Sequence, residues 1–311
     1  MRGMGLLVLF AVAALLIVVV GSLALAHRMT HPNRRTMGVA LAHGLPVEPS
    51  EVGMEADQIV VRLADETKTP VWITKGDQTD GPVVLATHGW SSSRYGMLRL
   101  AAMLAPHASR IVLYDLRGHG ESTASITTLG VRETDDLVEL LDHVMIEDRP
   151  LVLFGSSLGA TAALRAAVVL KGRDSPKLLG LILQAPYSND TEPVIGHFKI
   201  HGAPPQPFVF LATMLLKVLV RGYGAYNAVA LARELDCDLL VLHGTADPIS
   251  PHDSARRIAE AAPRSTFVEF SAAGHSRLAQ HAPDRYLEAV ETFFQKIYQN
   301  ANARANAPTS K

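Results

Sequence analysis

The chain has 311 residues, 48% hydrophobic and 19% charged, with 29 basic residues, 30 acidic residues and one cysteine. That length suits one large α/β domain or two modest ones. A net charge of −1 without a basic run excludes an electrostatic footprint for nucleic acid, and a lone cysteine, Cys237, excludes an internal disulfide.

The first element is apolar. From Gly3 to Ala26 the stretch GMGLLVLFAVAALLIVVVGSLALA carries no charge over 24 residues. As a helix it spans about 36 Å, enough to cross a hydrocarbon layer of ~30 Å with some tilt. Residues 1–27 are therefore expected to be a transmembrane anchor. A cleaved signal peptide is the competing reading, because Ala24-Leu25-Ala26 fits an A-x-A site and would leave a secreted protein. Against it, the apolar core is longer than the roughly 7–15 residues such peptides use. A buried core helix is a third reading. Arg2 stands on one side of the stretch and Arg28, Arg34 and Arg35 on the other, a difference too small to fix orientation. Residues 28–57 have little periodicity and read as a linker.

Short β-rich runs and longer helical patterns then alternate. QIVVRLA (58–64) and TPVWITK (69–75) have the look of a hairpin. The runs at 82–88, 110–115, 150–155, 177–184, 238–244 and 265–270 are nearly continuous in apolar residues, as in strands buried on both faces of a parallel sheet. Helical patterns cover about 94–105, 131–145, 158–171, 252–262 and 283–299. The order argues for a doubly wound, mostly parallel sheet of eight strands. Residues 185–236 are too long for a simple crossover and hold GAPPQP and the apolar FVFLATMLLKVLV. They are expected to form a helical lid, or otherwise a second helical layer over the sheet. The polar tail, 299–311, reads as disordered.

In open α/β sheets reactive groups gather at the carboxyl ends of strands. The 150–155 run ends in Gly155-Ser156-Ser157-Leu158-Gly159, a G-x-S-x-G pattern at a strand-to-helix turn. A reactive residue in so tight a turn needs small neighbours, so Gly155 and Gly159 mark Ser157 as the nucleophile and leave Ser156 pointing elsewhere. A serine hydroxyl needs a base, and the base needs an orienting group. His275 follows the last strand in Ala-Gly-His-Ser; Asp247 follows the seventh in Gly-Thr-Ala-Asp-Pro. The backbone N–H groups of Leu158, at the helix start, and of Trp90, in the loop after the third strand, are the expected oxyanion donors. Asp115 and the following Arg-Gly-His-Gly read as a structural turn. His197 and His201 are four apart, but no HExxH pattern or third ligand accompanies them, and no G-x-G-x-x-G follows a strand. Neither a metal nor another cofactor is expected.

FGSSLGAT, THGWSSSR, YDLRGHGES, HGTADPIS and AGHSRL together resemble the α/β-hydrolase superfamily, and within it the serine aminopeptidase-like and Bem46-like hydrolases. The resemblance covers roughly residues 58–298. It implies an α/β-hydrolase fold, a catalytic Ser157–Asp247–His275 triad and an acyl-enzyme. It leaves the substrate open among esters, lipids, thioesters and peptides. The expectation is a membrane-anchored serine esterase acting on small-molecule or lipid-like esters, with a peptidase or amidase, or a non-catalytic binding protein of the same fold, as alternatives.

Overall fold

The computed structural model describes residues 2–145, 149–173 and 177–305. Two helices open the chain, α1 (Arg2–Thr30) and α2 (Met37–Ala42). They are followed by β1 (Ala56–Arg62), β2 (Lys68–Lys75), β3 (Val83–Thr87), α3 (Leu98–Leu104), β4 (Arg110–Tyr114) and α4 (Arg132–Val144). Next come β5 (Leu151–Ser156), α5 (Leu158–Val169), β6 (Leu178–Gln184), α6 (Glu192–Ile200), α7 (Phe208–Leu219) and α8 (Ala228–Arg233). The last elements are β7 (Asp238–Gly244), α9 (His252–Ala261), β8 (Ser265–Phe270), α10 (Leu278–His281) and α11 (Pro283–Ala305).

The eight strands form one sheet in the order β1-β2-β4-β3-β5-β6-β7-β8. β1 and β2 pair antiparallel, and β2 pairs antiparallel with β4; every later pairing is parallel. The unbroken apolar runs have a simple cause. Leu85 and Leu153 face a core layer built by α4, α5, α8 and α9. Their neighbours Val84, Ala86, Val152 and Phe154 face a second layer built by α2, α3, α10 and α11. With both faces covered there is no polar side for alternation to serve. Each fully buried Leu or Val contributes about 1.5–3 kcal/mol to this packing.

Gly3–Thr30 is long and apolar enough to cross a membrane, and its N-terminal two-thirds stands clear of the rest of the chain. Its last turns do not. Gly21 lies against the Phe208 ring, where a Cβ would come within 2.6 Å of Cε1. Ala26 is buried with Ala212, Leu216, Val220 and Tyr223 of the α7 region.

Three segments differ from the sequence-based expectation. Residues 28–57, read as a linker, hold α2 and a 3-10 turn, and bury Ala40, Val47 and Met54 in the second core layer. The 185–236 insertion divides in two: α6 lies against the loop after β7, where a Gly196 Cβ would fall 2.5 Å from Ile249 O, and α7 packs on α1, while Tyr226, Ala228, Ala232 and Leu235 belong to the first core layer. The tail, read as disordered from 299, continues α11 as far as Ala305, and residues 306–311 lie outside the described residues.

Candidate active site

Ser157 occupies the single position between β5 and α5, with φ 53° and ψ −112°. A non-glycine residue in such a conformation costs on the order of 1–3 kcal/mol and persists only where its surroundings impose it. Here they do. The Ser157 N–H donates to Gln184 O at 2.9 Å, and the Ser157 carbonyl accepts from the N–H groups of Ala160 and Thr161. A Cβ on Gly155 would fall 2.3 Å from the carbonyl oxygen of Gly159, and one on Gly159 would fall 2.3 Å from that of Thr87. Strand and helix can cross this closely only because both positions lack a side chain. The Ser156 Oγ accepts from Gln184 Nε2 at 3.4 Å.

The Ser157 hydroxyl projects toward the tips of β7 and β8. Its Oγ lies 2.8 Å from His275 Nε2, and His275 Nδ1 lies 2.8 Å from Asp247 Oδ2. A carboxylate only accepts, so Nδ1 carries the imidazole proton and Nε2 is left to accept from the serine. Burial pushes the Asp247 carboxyl up, but the bond from His275 and the N–H groups of Ser250 and Ile249 outweigh it, and the group stays ionised below the usual carboxylate range. Those two N–H groups reach Oδ1 at 2.9 and 2.8 Å. His243, buried on β7, donates from Nε2 to Ser250 O at 3.1 Å and so pins the same loop. Sequence reading passed over His243, since a lone histidine in an apolar strand carries no motif.

The loop after β3 comes up beside the serine: a Cβ on Gly89 would lie 3.4 Å from Ser157 Cβ. Among the described residues, the backbone N–H groups of Trp90 and Leu158 have no protein acceptor. His88 holds the loop. It is fully buried, accepts at Nε2 from the Leu116 N–H (3.1 Å) and donates from Nδ1 to Gly89 O (2.8 Å); burial pushes it down to about 4, so it is neutral. The Asp115 turn packs beneath. The Asp115 carboxylate pairs with the buried Arg94 guanidinium and accepts the N–H groups of Arg94 and Glu121.

Two cavities meet at Ser157. One, of about 550 Å³, lies against α6 and the end of α1, lined by Leu25, Met29, Leu129, Val194 and Phe198 together with Ser157 and His275. His197 and His201, four apart on α6 and its C-cap, line it too, and burial holds His197 below its ordinary range. Trp90 forms part of the same wall and donates from Nε1 to Met29 O at 3.0 Å. The other cavity, of about 360 Å³, opens on the far side of the serine among Gly89, Tyr95, Met103 and Arg277. No sequence signal pointed to the end of α1 as a wall of the first cavity, because the contact joins segments with no shared motif.

A sequence model of the alpha/beta hydrolase family matches residues 83–289. Among curated proteins the chain is similar to the lysophosphatidylserine lipase ABHD12 of Bos taurus, at 27% identity over 210 residues, covering 65% of this chain and 51% of that protein. It is similar also to protein ABHD12B of Homo sapiens, at 27% over 197 residues, covering 61% and 52%. The chain spans about half the length of the curated relatives it matches. Among solved structures it resembles the esterase Pf2001 of Pyrococcus furiosus, with a TM-score of 0.65 at 20% identity over 81% of this chain and 96% of that one. A membrane phospholipase A from a bacterium gives a TM-score of 0.60 at 17% identity over 96% and 99%. At these identities the structures speak to the fold alone. The family match, the eight-stranded sheet and the glycine-flanked turn agree, and the chain belongs to the alpha/beta hydrolase family.

Proposed function

We propose that the chain is a membrane-anchored serine hydrolase that cleaves carboxylic esters of acyl or lipid-like substrates. The observation that carries this reading is the unbroken relay of 2.8 Å contacts from Ser157 through His275 to the ionised Asp247, at the junction of two cavities. His275 Nε2 takes the Ser157 proton as Oγ bonds to the ester carbonyl carbon. The carbonyl oxygen becomes an oxyanion facing the N–H groups of Trp90 and Leu158. The C–O bond to the alcohol then breaks, and the alcohol leaves with the proton held by His275. Water repeats the sequence on the acyl-serine, releasing the acid and restoring the hydroxyl. Asp247 keeps the imidazole in its Nδ1–H tautomer and stabilises the imidazolium that forms. Gly3–Thr30 serves as the anchor. Curated relatives named as lipases support the ester class.

The test is labelling of the detergent-solubilised full chain with a fluorophosphonate probe, followed by turnover of p-nitrophenyl acyl esters and aminoacyl anilides. The expected result is labelling of the wild type, none of Ser157→Ala, and turnover of esters over anilides. Anilide turnover alone would make the protein a peptidase or amidase, and absence of labelling in a folded wild type would remove the enzyme reading altogether.

A further inference from the structure

Helix α7 is apolar on two sides. Val209, Ala212 and Leu216 are buried, whereas Phe210, Leu211, Met214, Val218 and Leu219 are exposed. Phe210, Met214 and Val218 stand four apart, so the bare side is one continuous stripe of the helix. Scattered exposed leucines need no explanation, but a stripe of large apolar groups marks a surface that meets a second apolar phase.

Its place in the fold says which phase. α7 runs beside the end of α1: its first residue, Phe208, meets Gly21, and its later turns are buried with Ala26. Gly21 lies about 27 Å and Ala26 about 35 Å along α1 from Gly3, which bracket the far edge of a hydrocarbon layer of ~30 Å. The start of α7 therefore stands level with the last lipid-facing turns of α1. The turn that leads into α7 holds Pro204, Pro205 and Pro207, which have no N–H to leave unsatisfied in lipid.

The charges sort in the same way. All 30 acidic residues lie outside residues 1–47 and 193–233, the two segments that meet here. Arg28, Lys217 and Arg221 are exposed close beyond the apolar stretches. Basic residues bordering an apolar helix face suit a surface of anionic lipid. A second copy of the chain seated on the same stripe would instead bring the basic residues of one copy toward those of the other. We propose that the first turns of α7 enter the leaflet that α1 leaves, a second membrane contact beside the anchor, with Arg28, Lys217 and Arg221 at anionic headgroups. The inference rests on the anchor reading of Gly3–Thr30 and goes beyond it. A lone spanning helix leaves the domain free to swivel, whereas a second contact fixes which face meets the lipid. Leu25, Arg28, Met29 and Arg35, at and just past the end of α1, line the cavity beside Ser157. The α7 contact therefore holds that cavity at the level of the headgroups.

The experiment attaches a nitroxide to the full chain at Phe210→Cys, Met214→Cys, Leu9→Cys or Glu260→Cys, one site at a time, in nanodiscs of phosphatidylcholine and phosphatidylglycerol. Wild type, whose lone Cys237 is buried, gives the background. Leu9 is exposed on α1, and Glu260 is exposed near the end of α9, at the opposite edge of the sheet from Ser157. Collision with oxygen, which concentrates in lipid, is compared with collision with a water-soluble nickel chelate. Oxygen is expected to dominate at Leu9 and nickel at Glu260. At Phe210 and Met214 oxygen should also dominate, at a depth of ~5–10 Å. In discs of phosphatidylcholine alone the Phe210 label should shift toward water, and Lys217→Gln/Arg221→Gln should produce the same shift in the mixed discs. A wild-type melting temperature in detergent certifies that a variant is folded, and if one of the two α7 sites fails that check the other carries the comparison. Oxygen-dominated Leu9 with nickel-dominated Phe210 and Met214 overturns the inference and leaves the anchor standing. Nickel-dominated Leu9 removes the anchor and the inference with it. Labels on α7 that neither reagent reaches overturn it in favour of a second copy covering the stripe, and a depth indifferent to phosphatidylglycerol overturns the assignment to an anionic surface.

Discussion

The floor and the roof of the cleft are built in opposite ways. The floor consists of the tips of β3, β5 and β7 with the start of α5, and its shape is set by backbone against backbone: Gly155 on Gly159, Gly159 on Thr87, Ser157 hydrogen-bonded to Gln184. The roof consists of α6 and the last turns of α1, with α7 packed on α1, and its shape is set by side chain on side chain, as where Ala26 meets Ala212, Leu216, Val220 and Tyr223. One face of α7 buries Val209, Ala212 and Leu216, while Phe210 is 63% and Val218 82% exposed on the other. A backbone-built floor admits almost no added side chain without moving Ser157. A side-chain-built roof can change its lining and keep its place. Under the proposed function, the reaction would therefore rest on the first region and the fit of the acyl group on the second.

That division has measurable consequences. The largest expected effect is on the floor. Asp247→Asn keeps the shape but removes the acceptor that fixes the His275 tautomer, and kcat on a p-nitrophenyl ester should drop on the order of 10³–10⁴-fold, with KM moved little; a loss below tenfold would break the assignment of Asp247. Next comes Gly159→Ala, whose methyl must displace the Thr87 carbonyl. It should lower stability by about 3 kcal/mol, read as a reduced urea midpoint, whereas the same change at an open position such as Gly38 should not.

Acid comes third. His88 is neutral in the fold at about 4 and ordinarily titrates at 6.5. Below pH 6.5 the unfolded chain takes up a proton that the folded chain refuses, so the stability is whole above 6.5 and is lost progressively as pH falls toward 4. Between pH 7.5 and 5 the loss from this residue is roughly 2 kcal/mol, and His119, pushed down to about 3 by burial beside His88, acts in the same direction. A melting temperature that stays level from pH 7.5 to 5 would contradict neutral burial of the pair. The smallest effect is on the roof: Val194→Trp should narrow the lid-side cavity and raise KM for a p-nitrophenyl dodecanoate ester about tenfold while sparing the acetate ester. Equal losses on both chain lengths would show that roof and floor are not separable.

The same contrast explains what could be read from the chain beforehand. Ser157, Asp247 and His275 were legible because a tight turn demands glycines at fixed spacing and because strand tips can be counted along an alternating fold. The lack of alternation in β3, β5 and β7 announced a sheet covered on both faces. The roof left no such trace. Leu25 and Met29 sit in an apolar stretch whose composition speaks only of a membrane, and nothing in it says that its last turns also bound a cavity. Arg35 lay in a segment read as a linker, since short elements such as α2 are fixed by what they pack against rather than by any period of their own. The division of the 185–236 insertion into a roof and a core piece was hidden for the same reason.

One hydrogen bond ties the two regions together. The Trp90 indole, in the loop whose Gly89 comes up against Ser157, holds the Met29 carbonyl. Helix α1 and the β3 loop are thus joined twice, by this bond and by the Arg28 guanidinium over the Trp90 ring. A shift of the end of α1 is therefore a shift of the Trp90 wall beside Ser157.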